Sequence, residues 1–247
     1  MADEPRAWQV VLEHIEKDLL SGVLKPGDRL PGERSLAADL GVGRSSVREA
    51  LRVLEVLGLI RTASGSGPSS GAIIISVPGG GMSALMRMQV AARGFSVADL
   101  VDTRLILETE VVSKLARATT PHDLEPSHRL LAAMESTDLS PEEFLALDTQ
   151  FHLSLAEALG NHVLTATMAG LRSSVEGYAR QGLAGLASWK TTSLRLRHEH
   201  RAVSDAIAAG DAKLARQAIR AHITGYYVES GLPGSGQPVT DSSPEEN

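Results

Sequence analysis

The sequence predicts a mainly α-helical protein built in two parts, a winged helix-turn-helix followed by an all-α antiparallel bundle. Three observations carry this. Up to the Pro78-Gly79-Gly80-Gly81 break, three helix-spaced segments are followed by two short runs rich in β-branched residues. Beyond that break, helical periodicity continues alone to about residue 229. Aromatic residues make up only 3% of the chain, while alanine and the aliphatics dominate its apolar fraction, a mix suited to helix-on-helix packing. The boundaries read as 1–77 for the winged part, 78–82 for a linker and 83–230 for the bundle. Residues 231–247 hold almost no apolar side chains and are expected to be disordered.

In the first part, Trp8, Val11, Leu12, Ile15 and Leu19 share one helical face, and Gly22 supplies a stop. A second helix is expected over about 33–40, ending at Gly41-Val42-Gly43, and a third over about 46–57, ending at Gly58. Ser46 and Glu49 have the spacing of a capping box at the start of that third helix. Val47, Ala50, Leu51, Leu54 and Leu57 would form its packed face. LIRT and GAIIISV then read as strands around a Ser/Gly loop.

Two helices around a tight glycine turn, then strand-loop-strand, is the plan of a DNA-binding winged helix-turn-helix, whose second helix enters the major groove. That end carries Arg44, Ser45, Ser46 and Arg48: arginine suits the paired acceptors of guanine, and serine suits phosphate. Charge alone makes no such case. The net charge is −6, and residues 25–61 hold seven basic against five acidic side chains. The run LPGERSLAADLGVGRSSVREALRVLEVLGLI resembles the N-terminal domain of the GntR family of bacterial regulators. The resemblance implies DNA contacts from Arg34, Arg44 and Arg48, assisted by Ser45 and Ser46. It also implies a wing contact near Gly65, although SGSGPSSG is longer than the family's usual glycine turn.

In the second part, helices are expected over 83–92, 96–119, 121–135, 141–159, 162–181, 192–209 and 211–229. Asp148 and His152 lie four apart on one helical face. His200 precedes Gly210 by ten residues and His222 follows it by twelve, so a hairpin there lifts both about 15 to 18 Å from the turn. Three imidazoles and a carboxylate suit zinc, nickel or another borderline divalent ion, with positions left for water or a ligand. His14, His122, His128, His162 and His198 receive no role. The segments VDTRLILETEVVSKLA, LDTQFHLSLAEALGN, EHRAVSDAIAAGD and ARQAIRAHI resemble the FCD ligand-binding domain of the FadR subfamily, and the filled set of four resembles its metal-containing branch.

That resemblance implies that Arg104 faces an effector cavity, where it would grip a carboxylate beside the metal; a salt bridge to Glu108 is its structural alternative. Asn161 is a lesser effector candidate that could equally end a helix, and Leu107, Val111, Leu155 and Met168 are candidates for the cavity wall. The expected protein is a cytoplasmic homodimer that binds palindromic operator DNA, responds to a small organic acid and acts as a repressor. With no cysteine, disulfides and thiolate metal sites are excluded. No apolar run is long enough for a membrane span. Two alternatives share these residues: a regulator whose metal is structural or is itself the signal, and a metal-dependent hydrolase with Glu108 or Glu199 as base.

Overall fold

The computed structural model describes residues 6–63, 71–75, 80–92 and 94–231. Its internal packing divides the chain between Met82 and Ser83 into two compact units. The first holds α1 (Ala7–Leu20), α2 (Glu33–Leu40), α3 (Arg44–Val56), β1 (Ile60–Ala63) and β2 (Gly71–Ile74). The strands pair antiparallel from Ile60 opposite Ile74 to Ala63 opposite Gly71. Val11 and Ile15 of α1, Leu36 of α2, Val47, Ala50 and Leu54 of α3 and Ile60, Ala72 and Ile74 of the hairpin form one core. Residues 47, 50 and 54 recur at helical spacing, so α3 buries a single stripe, worth about 1.5–3 kcal/mol for each large side chain. Gly41, at φ +64, ends α2 in the left-handed conformation and lets α3 begin three residues later.

Two local expectations fail. α3 starts at Arg44, with extended Gly43 as its N-cap. The Gly43 carbonyl already accepts from the Ser46 and Val47 amides, so Ser46 lies inside the first turn and forms no capping box with Glu49. Leu57 is 46% exposed because it is the C-cap, beyond the last turn of the buried stripe. The wing contact at Gly65 and the 231–247 tail, apart from Gly231, fall outside the described residues.

α4 (Gly81–Ala91) leads into the second unit, which continues with α5 (Val97–Arg117), α6 (Glu125–Met134), α7 (Pro141–Ala158) and α8 (His162–Gly182). A 3-10 turn at Leu183–Gly185, α9 (Trp189–Ala208) and α10 (Ala212–Glu229) complete it. α6 begins four residues later than expected: residues 121–124 are irregular, and the Asp123 carboxylate accepts from the Glu125 amide at the start of the helix. At the start of α7, Ser140 and Glu143 form a capping box with Pro141 at the first helical position. α9 and α10 form an antiparallel hairpin around Gly210, at φ +72. α5 packs along α10 and also meets α7, α8 and α9, so the buried core is shared by helices distant in sequence.

Candidate metal centre and nucleic-acid interface

In the second unit, α7 supplies Asp148 and His152, α9 supplies His200 and α10 supplies His222. The hairpin brings the His200 and His222 rings to 4.4 Å between centroids. One donor atom from each of the four residues lies within 4.8 Å of the others. Asp148 Oδ1 is 2.8 Å from His200 Nε2 and 3.5 Å from Nε2 of both His152 and His222, which are themselves 3.1 Å apart. All three imidazoles are buried, and Phe151 lies edge-on to His152 and His200.

The outer nitrogens explain this convergence. His152 Nδ1 is 2.6 Å from Glu108 Oε2, and His222 Nδ1 is 3.0 Å from Glu199 Oε2. At His222 that carboxylate meets Nδ1 in a hydrogen bond and turns Nε2 inward; at His152 the Glu108 carboxylate is close but lacks hydrogen-bond geometry. Three Nε2 atoms and a carboxylate oxygen then face one another, an arrangement that suits a positive charge between them. The titration of the rings agrees. Burial, reinforced by the charge of His222, pushes His200 down to about 3. Burial and then Arg172 lower His152. Burial also works against a charged His222, but its bonds to Asp148 and Glu199 outweigh that and raise it. The pull of His222 towards its charged form marks the centre of the cluster as a place that favours positive charge. His152 Nδ1 and His200 Nδ1 are both buried without a hydrogen-bond partner among the described residues. The donor set therefore fits a divalent ion.

Glu108 is the hub behind the cluster. It accepts from Arg104 Nε at 2.8 Å and from Arg172 Nη2 at 3.2 Å, while Arg172 Nη1 donates to Asp148 Oδ2 at 3.1 Å. Burial alone would raise the Glu108 carboxyl, yet Arg104, Arg172 and His152 hold it well below the usual range. Asp148 is held low in the same way, burial being overcome first by His152. Arg104 also donates to the Tyr227 hydroxyl at 3.0 Å.

Arg104 and Asp148 border two adjoining lobes of a cavity. One lobe extends to His222, Tyr226 and Tyr227, the other to Thr149, Arg172 and Glu176. Arg104 thus makes the Glu108 salt bridge that is its structural alternative and also borders the cavity. The expected wall residues do not: Val111, Leu155 and Met168 are buried in the core and Leu107 packs against it. Leu145, Leu196 and Ile223 line the space instead. Asn161 is exposed, and its side chain caps α8 by accepting from the Leu164 amide, so it is not brought to the cavity. Arg172 has no role in the sequence reading. Its signal is a charge set in the buried stripe of Met168, Leu171 and Val175.

In the first unit, Arg34, Arg44, Ser45 and Arg48 are exposed and Ser46 is half-buried. Glu33 Oε2 lies 3.2 Å from Arg48 Nε and 3.7 Å from Arg44 Nη2. Ser45, Arg48, Glu49 and Arg52 border a shallow groove along α3.

A winged helix-turn-helix followed in the chain by a helical unit with a charge-lined cavity defines a ligand-responsive transcription regulator. Comparison with known proteins gives the family. The model of bacterial regulatory proteins of the gntR family matches residues 8–68, and the FCD domain matches 99–225. The chain is 34% identical over 218 residues to the HTH-type transcriptional regulator LutR of Bacillus subtilis, spanning 85% of this chain and 98% of that one. It is 32% identical over 229 residues to the Glc operon transcriptional activator of Escherichia coli, spanning 90% and 89%. Among solved structures, Streptococcus agalactiae GntR matches with a TM-score of 0.61 at 25% identity, covering 89% of this chain and 97% of that one. The chain belongs to the GntR family, with an FCD domain as its effector-binding half. It is a metabolite-responsive DNA-binding regulator. The family and these relatives are transcription regulators, which removes the hydrolase alternative. Among the described residues, no helix is long and apolar enough to cross a membrane.

Proposed function

We propose that this regulator is a homodimeric, cytoplasmic repressor that holds palindromic operator DNA through Arg34, Arg44, Ser45, Ser46 and Arg48, with the wing near Gly65 assisting. A divalent ion, zinc before nickel, is held by Asp148, His152, His200 and His222. A small organic acid binds beside it, its carboxylate gripped by the Arg104 guanidinium. The observation that carries this reading is the inward convergence of three Nε2 atoms on Asp148 Oδ1, with two of the rings backed by carboxylates. The ion supplies a fixed positive charge on which an anion can be anchored. Binding that favours one arrangement of the chain over another then changes operator affinity.

Metal analysis of the purified protein, followed by thermal melts with a panel of carboxylates before and after chelation, tests it. One divalent ion per chain is expected, and His200→Ala should lose it. An effective acid at about 100 times its Kd should stabilise the loaded protein by about 2.7 kcal/mol and release operator DNA. A folded protein that takes up no ion overturns the metal assignment. Metal loading with no response to any acid leaves a structural ion.

A further inference from the structure

Arg172 is 4% exposed and lies in the wall shared by the cluster and the second lobe of the cavity. It divides its charge between two carboxylates, with Nη1 on Asp148 and Nη2 on Glu108. Its Nε is buried with no hydrogen-bond partner among the described residues. Arg104 likewise relies on Glu108. The interior therefore balances: Arg104 and Arg172 against Glu108 and Asp148. Outside this buried set, the partly exposed Glu199 and Glu229 share Arg195, and solvent screens the charge that is left over. A divalent ion held by Asp148 and three neutral imidazoles adds two positive charges to a set that is already neutral. It also draws on Asp148, the carboxylate from which Arg172 takes half its compensation. Uncompensated charge of that size is costly in a buried site. A monocarboxylate removes half of the excess; a dianion removes it all.

Arginine borders both lobes of the cavity, Arg104 in each and Arg172 in the second. The lobes share Arg104 and Asp148, and diverge towards His222 on one side and towards Arg172 and Thr149 on the other. Glu176 borders the second lobe, but its carboxylate is paired with Arg180 at 2.6 Å. We infer that the effector is a short dicarboxylate whose second acidic group is read by Arg172, making Arg172 the residue that separates diacids from monoacids. This rests on the carboxylate reading above and narrows it.

Isothermal calorimetry on the zinc-loaded full-length protein, at fixed ionic strength, tests the inference with matched pairs: malonate against propionate and succinate against butyrate. At least one diacid should bind about tenfold or more tighter than its monoacid partner. In Arg172→Lys and Arg172→Gln, with zinc content measured alongside, that ratio should shrink to within about threefold. Equal affinity of both diacids and their monoacids for the unaltered protein overturns the inference and leaves the carboxylate reading standing. So does a ratio that survives in both variants. If none of the four acids binds the loaded protein, the carboxylate reading falls as well.

Discussion

Each unit of this regulator contains a glutamate that holds two arginines, and the two trios differ chiefly in how much water reaches them. Glu33 lies against Arg44 and Arg48, whose side chains are 60% and 55% exposed. Glu108 lies against Arg104 and Arg172, which are 9% and 4% exposed. An exposed pair is worth about 0–1 kcal/mol, because solvent screens it and each group is nearly as well off alone. A phosphate can therefore take either arginine from Glu33 at little cost. Breaking a buried pair strands a charge that neither water nor a neighbour can answer, at a cost of about 3–5 kcal/mol. The same residue types thus make a surface ready to exchange partners in one unit and a fixed frame in the other.

The comparison is most exposed to failure at Glu108. Glu108→Ala leaves Arg104 and Arg172 facing each other and should cost about 3–5 kcal/mol in urea unfolding. A loss below about 1 kcal/mol would mean that the buried trio behaves like the exposed one. Arg48→Ala comes next. It should weaken operator binding by about 1–3 kcal/mol, roughly ten- to a hundredfold, in a salt-controlled mobility or anisotropy assay. Its melting temperature and its response to carboxylates should stay as in the parent. Loss of the carboxylate response with the DNA affinity would break the division of labour between the units. The smallest effect belongs to Glu33→Ala. Stability should move by less than about 1 kcal/mol, while operator affinity rises and its salt dependence steepens as Arg44 and Arg48 are released to phosphate.

Much of this was legible before any coordinates. α2 spans 33–40 as expected, because an apolar spacing and a following Gly41 leave little choice of end. The meeting of His200 and His222 follows from similar distances to a glycine turn, ten and twelve residues, since both rise on helices of the same pitch. What escaped was whatever depended on how far a helix is rotated about its axis. Each residue step turns the helix by about 100°, so a small rotation exchanges wall for core. That is why Leu145, Leu196 and Ile223 line the cavity while Val111, Leu155 and Met168 lie behind it. The roles of Glu108, Glu199 and Arg172 were hidden for a related reason. Each acts on a side chain from another helix, and spacing within one helix carries no trace of that partner. The start of α3 was misplaced because Ser46 is a good cap by type, while Gly43, three residues earlier, already held the extended backbone that a cap needs.

Each lobe of the cavity leaves only about 30 Å³ to the centre of a water-sized sphere. At about 10–15 Å³ per water, that is room for two or so, and less than any organic acid needs. Entry therefore waits on side chains giving way, Tyr226 among them, whose hydroxyl is fastened to the Ala179 carbonyl at 2.6 Å on the same wall. Motions of that kind run from microseconds to milliseconds when helices must shift with them. The fraction of time the walls stand open then scales the rate at which an acid arrives. Departure passes the same wall, so a stiffer wall slows both directions alike and leaves the affinity to the contacts made inside.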